Sequence, residues 1–136
     1  MKYPVIIEKD GNGFMASFPD IPEALTGGDT FEDTLAEAQD ALITAFEFYV
    51  EDNRAVPAPS AINGAEYDSV PASVAAKVML LNELVKSGQS RAELARKIGK
   101  SRQDVNRIVD LGHTTKIDTI ALALNALGKQ LELSVV

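Results

Sequence analysis

The sequence predicts an α+β protein: antiparallel strands packed on one long helix, followed by an all-α helix-turn-helix domain that ends in a strand. Three observations carry this. Two runs rich in aromatic and β-branched residues flank Lys9-Asp10-Gly11-Asn12-Gly13, the pattern of a hairpin. A stripe of apolar residues at helical spacing runs from Phe31 to Tyr49, which marks a long amphipathic helix. Ser90 to Leu111, SRAELARKIGKSRQDVNRIVDL, reads as two short helices about a turn at Gly99, the second helix polar and basic.

Taken in order, Tyr3 to Glu8 and Phe14 to Phe18 form the hairpin strands, with glycines supplying the positive φ of a tight connection. Pro19 and Pro22 interrupt pairing around Asp20 and Ile21, and a short third strand is expected near Ala24 to Thr26, ahead of Gly27-Gly28. Thr30 stands three residues before Asp33 as the N-cap of the long helix, whose acidic first turn, Glu32 and Asp33, suits the positive end of the helix dipole. Phe31, Leu35, Ala38, Leu42, Ala45, Phe46 and Tyr49 make its core face. Ile43, Phe48 and Val50 fall partly outside it, and either complete a broad core face or leave apolar surface for a partner. From about residue 54 to 73 prolines and small residues make a connector, with one short strand near Tyr67 to Val70 returning to the first sheet. This divides the chain into domains at 1–70 and 71–136.

In the second domain Val74, Val78, Leu81, Leu84 and Val85 line one helical face. Ser90 with Glu93 and Ser101 with Asp104 have capping-box spacing. Leu94, Ala95 and Ile98 form the buried side of the first short helix; Val105, Ile108 and Val109 form that of the second. Gly99 occupies the turn, where left-handed geometry is needed. Ile117, Ile120, Ala121, Leu124 and Leu127 mark a closing helix, ended by Gly128. The alternating Leu131 to Val136 reads as a strand with no sheet of its own to join; pairing of Leu131, Leu133 and Val135 with a second subunit would supply one.

Composition bounds the function. An apolar share of 46% fits a folded protein, and the absence of cysteine excludes disulfides and thiolate metal sites. The N-terminus lacks the apolar run of a signal peptide, and no stretch reaches the roughly 18 consecutive apolar residues of a membrane span; a soluble cytoplasmic protein is expected. The net charge of −7 hides a division: residues 1–68 carry three basic against fourteen acidic residues (−11), and residues 69–136 ten against six (+4). Only the basic half suits phosphate.

The chemistry of recognition lies on the outer side of the second short helix. Arg102 and Gln103 are the leading base-reading candidates, followed by Asn106: Arg can bond guanine O6 and N7, and Gln or Asn can bond adenine N6 and N7. Arg107 can read a base or a phosphate. Ser90, Ser101, Thr115 and Lys116 suit backbone phosphates. His113, the single histidine, reads as an ordinary loop residue, since nothing completes a metal or catalytic site around it.

Nearly the whole chain resembles the HicB antitoxins of bacterial HicA-HicB toxin-antitoxin pairs, in the version with a phage-repressor-type (XRE/Cro-like) helix-turn-helix. The resemblance rests on the opening through Leu42, above all Phe18-Pro19-Asp20-Ile21-Pro22 and Gly28-Asp29-Thr30, and on Glu93-Leu94-Ala95, Gly99-Lys100-Ser101, Val105 and Lys116-Ile117-Asp118. It implies a partial RNase H-like N-terminal domain that masks a HicA-type mRNA-cleaving toxin, and autorepression through operator DNA. The acidic half suits competition for a basic, RNA-cleaving surface. Phe18, Asp20, Ile21 and Glu23 are the toxin-contact candidates, as residues of a proline-bounded loop expected to be accessible.

An RNase H-like fold raises the question of a metal-dependent nuclease, which would need clustered carboxylates. Here Glu32, Asp33, Glu37, Asp40, Glu47 and Glu51 spread along the expected solvent face of the long helix, so no catalysis, metal or cofactor is expected. The competing reading is a stand-alone repressor with a ligand-sensing N-terminal domain. A homodimer through the C-terminal domain is the minimum assembly, and pairing of N-terminal domains would make it a tetramer.

Overall fold

A computed structural model describes residues 1–136. Strands β1 (Lys2–Pro4), β2 (Ile6–Asp10), β3 (Gly13–Phe18) and β4 (Ile21–Gly28) lead into α1 (Phe31–Glu51); after β5 (Tyr67–Ser69) come α2 (Ala72–Ser87), α3 (Arg91–Ile98), α4 (Arg102–Val109) and α5 (Ile117–Ala126). Residues 1–49 and 57–71 pack as one unit, and residues 50–56 and 72–136 as another. No helix is long and apolar enough to cross a membrane.

In the first unit the expected first strand is divided at Val5. Its N–H donates to Glu66 O (3.0 Å); before it β1 pairs antiparallel with β5, and after it β2 joins a three-stranded antiparallel sheet of order β2-β3-β4. One extended run thus serves two ladders. The third strand is longer than expected and contains Pro22. A register break between Ser17 and Phe18 leaves Pro22, Glu23 and Ala24 without pairing partners, so the missing proline N–H costs no ladder bond.

One face of the sheet and one face of α1 form the core. Ala16, Phe18, Ile21 and Ala24 are buried, as are Ala38, Leu42, Ala45, Phe46 and Tyr49, and the Tyr3 and Phe46 rings meet edge to face at 5.5 Å. Tyr3 Oη donates to Pro57 O (2.7 Å); burial, with smaller contributions from Asp20 and Tyr49, pushes its hydroxyl up to about 12. The helix starts where expected: Thr30 Oγ1 accepts from Asp33 N at 3.0 Å. Gly28 is required just before it, because a Cβ there would lie 2.8 Å from Thr34 Oγ1 and 3.0 Å from Thr34 N. Val50 is buried and Phe48 is half-exposed.

The second unit is helical. α2 is buried on more sides than a single stripe, with Val74, Ala75, Ala76, Lys77, Val78, Leu80, Leu81 and Leu84 inside. In α5 the inward face is Ile120, Ala123 and Leu124, whereas Ile117 and Leu122 are exposed. This shifts the phase expected from the apolar residues, because small Ala123 takes an interior position that the larger Ile117 does not.

The strand expected at Leu131 to Val136 does not form within the single chain. Residues 129–136 carry no regular structure, and Leu133, Val135 and Val136 are exposed. A strand needs a neighbour for its N–H and C=O groups, and the all-helical second unit presents no strand edge.

Candidate nucleic-acid interface

The segment from Ser90 to Asp110 builds the candidate surface from its caps outward. Ser90 Oγ accepts from Glu93 N (3.0 Å) while Glu93 Oε1 accepts from Ser90 N (3.2 Å). Ser101 and Asp104 repeat the arrangement at 3.1 and 3.0 Å. Both boxes satisfy orphan donors at a helix start. Those hydrogen bonds from Ser90 and Ser101 hold the Glu93 and Asp104 carboxyls below their ordinary ranges, with nearby basic side chains adding to the effect.

Between the two helices Gly99 adopts φ 68° and ψ 33°, the left-handed conformation that a side chain disfavours. The turn lets both helices bury small apolar faces together: Leu94 and Ala95 from α3, and Val105, Ile108 and Val109 from α4. What remains outside α4 is polar. Arg102, Gln103, Asn106 and Arg107 are all exposed, and Arg107 Nη1 pairs with Asp104 Oδ1 at 3.2 Å. Thr115 is half-buried with its hydroxyl 3.3 Å from His113 Nδ1, and exposed Lys116 is the N-cap residue of α5. Lys100, Asp104, His113, Thr114, Thr115 and Lys116 share one shallow depression. Ser101 and the exposed row on α4, together with a basic, hydroxyl-bearing hollow holding Thr115 and Lys116, account for all the candidates but Ser90, which is the N-cap of α3; the hollow also brings in Lys100.

Two further residues complete this geometry, and neither was singled out by sequence. Arg91 Nη1 donates to Asn106 Oδ1 (3.0 Å), Nη2 donates to Val50 O (2.7 Å), and Asn53 Oδ1 accepts from both Nε and Nη2. Burial, and to a smaller extent nearby Arg102, pushes the Arg91 pKa down. Lys77, which is 2% exposed, donates its ammonium protons to Asp110 O (2.6 Å), to Arg107 O (3.2 Å) and to His113 O. The end of α4 is thereby tied to α2. Burial lowers the Lys77 pKa and Asp110 partly opposes this. The signal for Arg91 was its place at the first position of a capped helix; for Lys77 it was a lysine amid an otherwise apolar helix face.

The N-terminal candidates are dispersed by the fold. Phe18 and Ile21 are 2% and 0% exposed, so the expectation that they are accessible is corrected: both side chains fill the core below the strand bulge. Asp20 accepts from Ser60 N at 2.8 Å and from Ser60 Oγ, and Glu23 Oε1 accepts from Tyr49 Oη at 2.7 Å. Among the C-terminal candidates, Leu131 is half-buried while Leu133 and Val135 are exposed.

A family model described as a HicB-like antitoxin of a bacterial toxin-antitoxin system matches residues 2–79. The chain is 61% identical over 133 residues to a Photorhabdus laumondii protein named Antitoxin HicB 2, covering 98% of this chain and 95% of the relative. It is 49% identical over 138 residues to Antitoxin HicB of Escherichia coli K12, with all of both chains covered. Antitoxin HicB of Pseudomonas fluorescens is 42% identical, over 98% of this chain and 93% of its own.

Proposed function

The chain belongs to the HicB-like antitoxin family, and on that premise we propose that it neutralises a HicA-type mRNA-cleaving toxin with its N-terminal unit and represses its own operon with its C-terminal unit. The observation that carries the proposal is the full-length alignment with antitoxins, which extends through the capped α3-α4 pair. On this reading α3 and α4 are a helix-turn-helix, and the sheet with α1 is a partial RNase H-like domain that has no catalytic role. The cytoplasm, where the toxin's mRNA substrate and operator DNA both lie, is the working compartment.

Arg102, Gln103 and Asn106 are the base-reading side chains and Arg107 reads a base or a phosphate, while Ser90, Ser101, Thr115 and Lys116 hold phosphates. Exposure of the α4 row supports this assignment, as does the +4 charge of residues 69–136. Leu131, Leu133 and Val135 form a strand with the same segment of a second copy, which presents two reading helices to a two-fold operator; pairing of N-terminal units would extend the dimer to a tetramer.

Footprinting on the DNA upstream of its own gene tests the DNA-binding half. Arg102→Ala should weaken protection by about 1–3 kcal/mol and relax preference at one base position if the contact is bidentate. Equal loss on operator and random DNA would reassign Arg102 to phosphate, and absence of protection by the unaltered chain would defeat the repressor reading.

A further inference from the structure

The three-stranded sheet has one sealed face and one open face. Ala16, Phe18 and Ala24 point to the core. The alternation of side chains along a strand therefore puts Ile6, Glu8 and Asp10 of β2, Gly13, Met15 and Ser17 of β3, and Leu25 and Gly27 of β4 on the other side. The register aligns them in rows: Ile6 opposite Ser17 opposite Leu25, and Glu8 opposite Met15 opposite Gly27. Ile6, Met15 and Leu25 are 44%, 37% and 58% exposed.

Single exposed apolar side chains are ordinary, but three on adjacent strands of one face make a patch. Small Ser17 lies between Ile6 and Leu25, and Gly27 beside Met15, so no bulky side chain separates the three. Its only charges are negative, Glu8 and Asp10; Lys9 projects from the opposite side, 5.9 Å from the Phe14 ring centroid.

We propose that this outer sheet face seats the partner toxin, through an apolar centre on Ile6, Met15 and Leu25 and basic groups of the toxin against Glu8 and Asp10. The inference rests on the antitoxin reading and assigns its contact surface. Charge selects the occupant. Nucleic acid is repelled by Glu8 and Asp10, and a second copy of the same face would bring like charges together within a half-chain of −11. A protein with a basic rim satisfies both the apolar centre and its flank.

The test measures affinity of the full-length chain for the purified toxin encoded beside it. Leu25→Lys, at an exposed position on β4, should lower affinity at least tenfold, about 1.4 kcal/mol, with unchanged melting temperature and DNA binding. Ile6→Lys on β2 is an independent second variant should the first not fold. Glu8→Lys should slow association and weaken its salt dependence, and Phe48→Lys on α1 should bind as the unaltered chain does. Failure of the unaltered chain to bind the toxin would defeat the antitoxin reading itself. Binding by the unaltered chain, Leu25→Lys and Ile6→Lys alike would overturn the face assignment alone. A changed oligomeric state of free Leu25→Lys would overturn it in favour of a second copy on this face.

Discussion

Arg91 Nη1 donates a 3.0 Å hydrogen bond to Asn106 Oδ1, so a base-reading candidate is held by a side chain that itself lies on the preceding helix. The carboxamide oxygen has a second lone pair and its NH2 is free of this bond, so Asn106 retains both groups needed to bond adenine N6 and N7. Arg91 thus reduces the rotamer freedom that Asn106 would lose on binding.

Arg91→Lys keeps the charge but not the planar fork that reaches Asn106, Asn53 and Val50 at once. It should leave binding to random DNA near its original level while reducing preference at the base read by Asn106, as measured by competition among operator variants. An unchanged base preference would show that the Arg91–Asn106 bond does not organise reading.

Lys77→Met removes the donor for three carbonyls at and beyond the end of α4. Unmade buried bonds should cost roughly 1–3 kcal/mol in stability. Hydrogen exchange should quicken first at amides 107 to 113, and denaturant unfolding gives the total. Uniform loss of protection across both units would instead indicate a global packing defect.

The capping boxes carry a pH dependence of definite sign. Glu93 and Asp104 have folded pKa values depressed from 4.5 and 3.8, so the unfolded chain takes up protons first as pH falls. Their contribution is complete above those ordinary values and is lost as pH drops through the depressed ones. NMR titration should show both carboxyls moving together with the Ser90 and Ser101 amides below pH of about 4.5. Midpoints at or above the ordinary values would contradict the capping account.

If the proposed strand pairing holds two copies together, deleting Leu131 to Val136, where Leu133 and Val135 are exposed in the single chain, should reduce dimerisation and operator affinity together. Sedimentation that shows an intact dimer after the deletion would remove the strand-pairing proposal.

The features legible in the sequence were those fixed by short-range chemistry. Thr30, the two serine caps and Gly99 act on residues three or four positions away or on their own φ, so spacing alone located them. Features set by distant partners were not legible. Val5 divides an extended run because Glu66 reaches it; Lys77 is buried because carbonyls thirty or more residues away surround its ammonium group. Phe18 and Ile21 sit beside prolines, which suggested an accessible loop, yet a bulge turns both inward. The α4 row was legible because its apolar and polar faces separate cleanly, whereas the open sheet face depended on the register of three strands.

The proposal that this chain neutralises a HicA-type toxin is tested most directly by growth of cells in which such a toxin, taken from the gene next to this chain's own, is induced with and without this chain. Restored growth when the folded chain is co-expressed, together with recovery of both proteins as one complex, is the predicted result. Continued arrest in the presence of an equal amount of folded chain would contradict it.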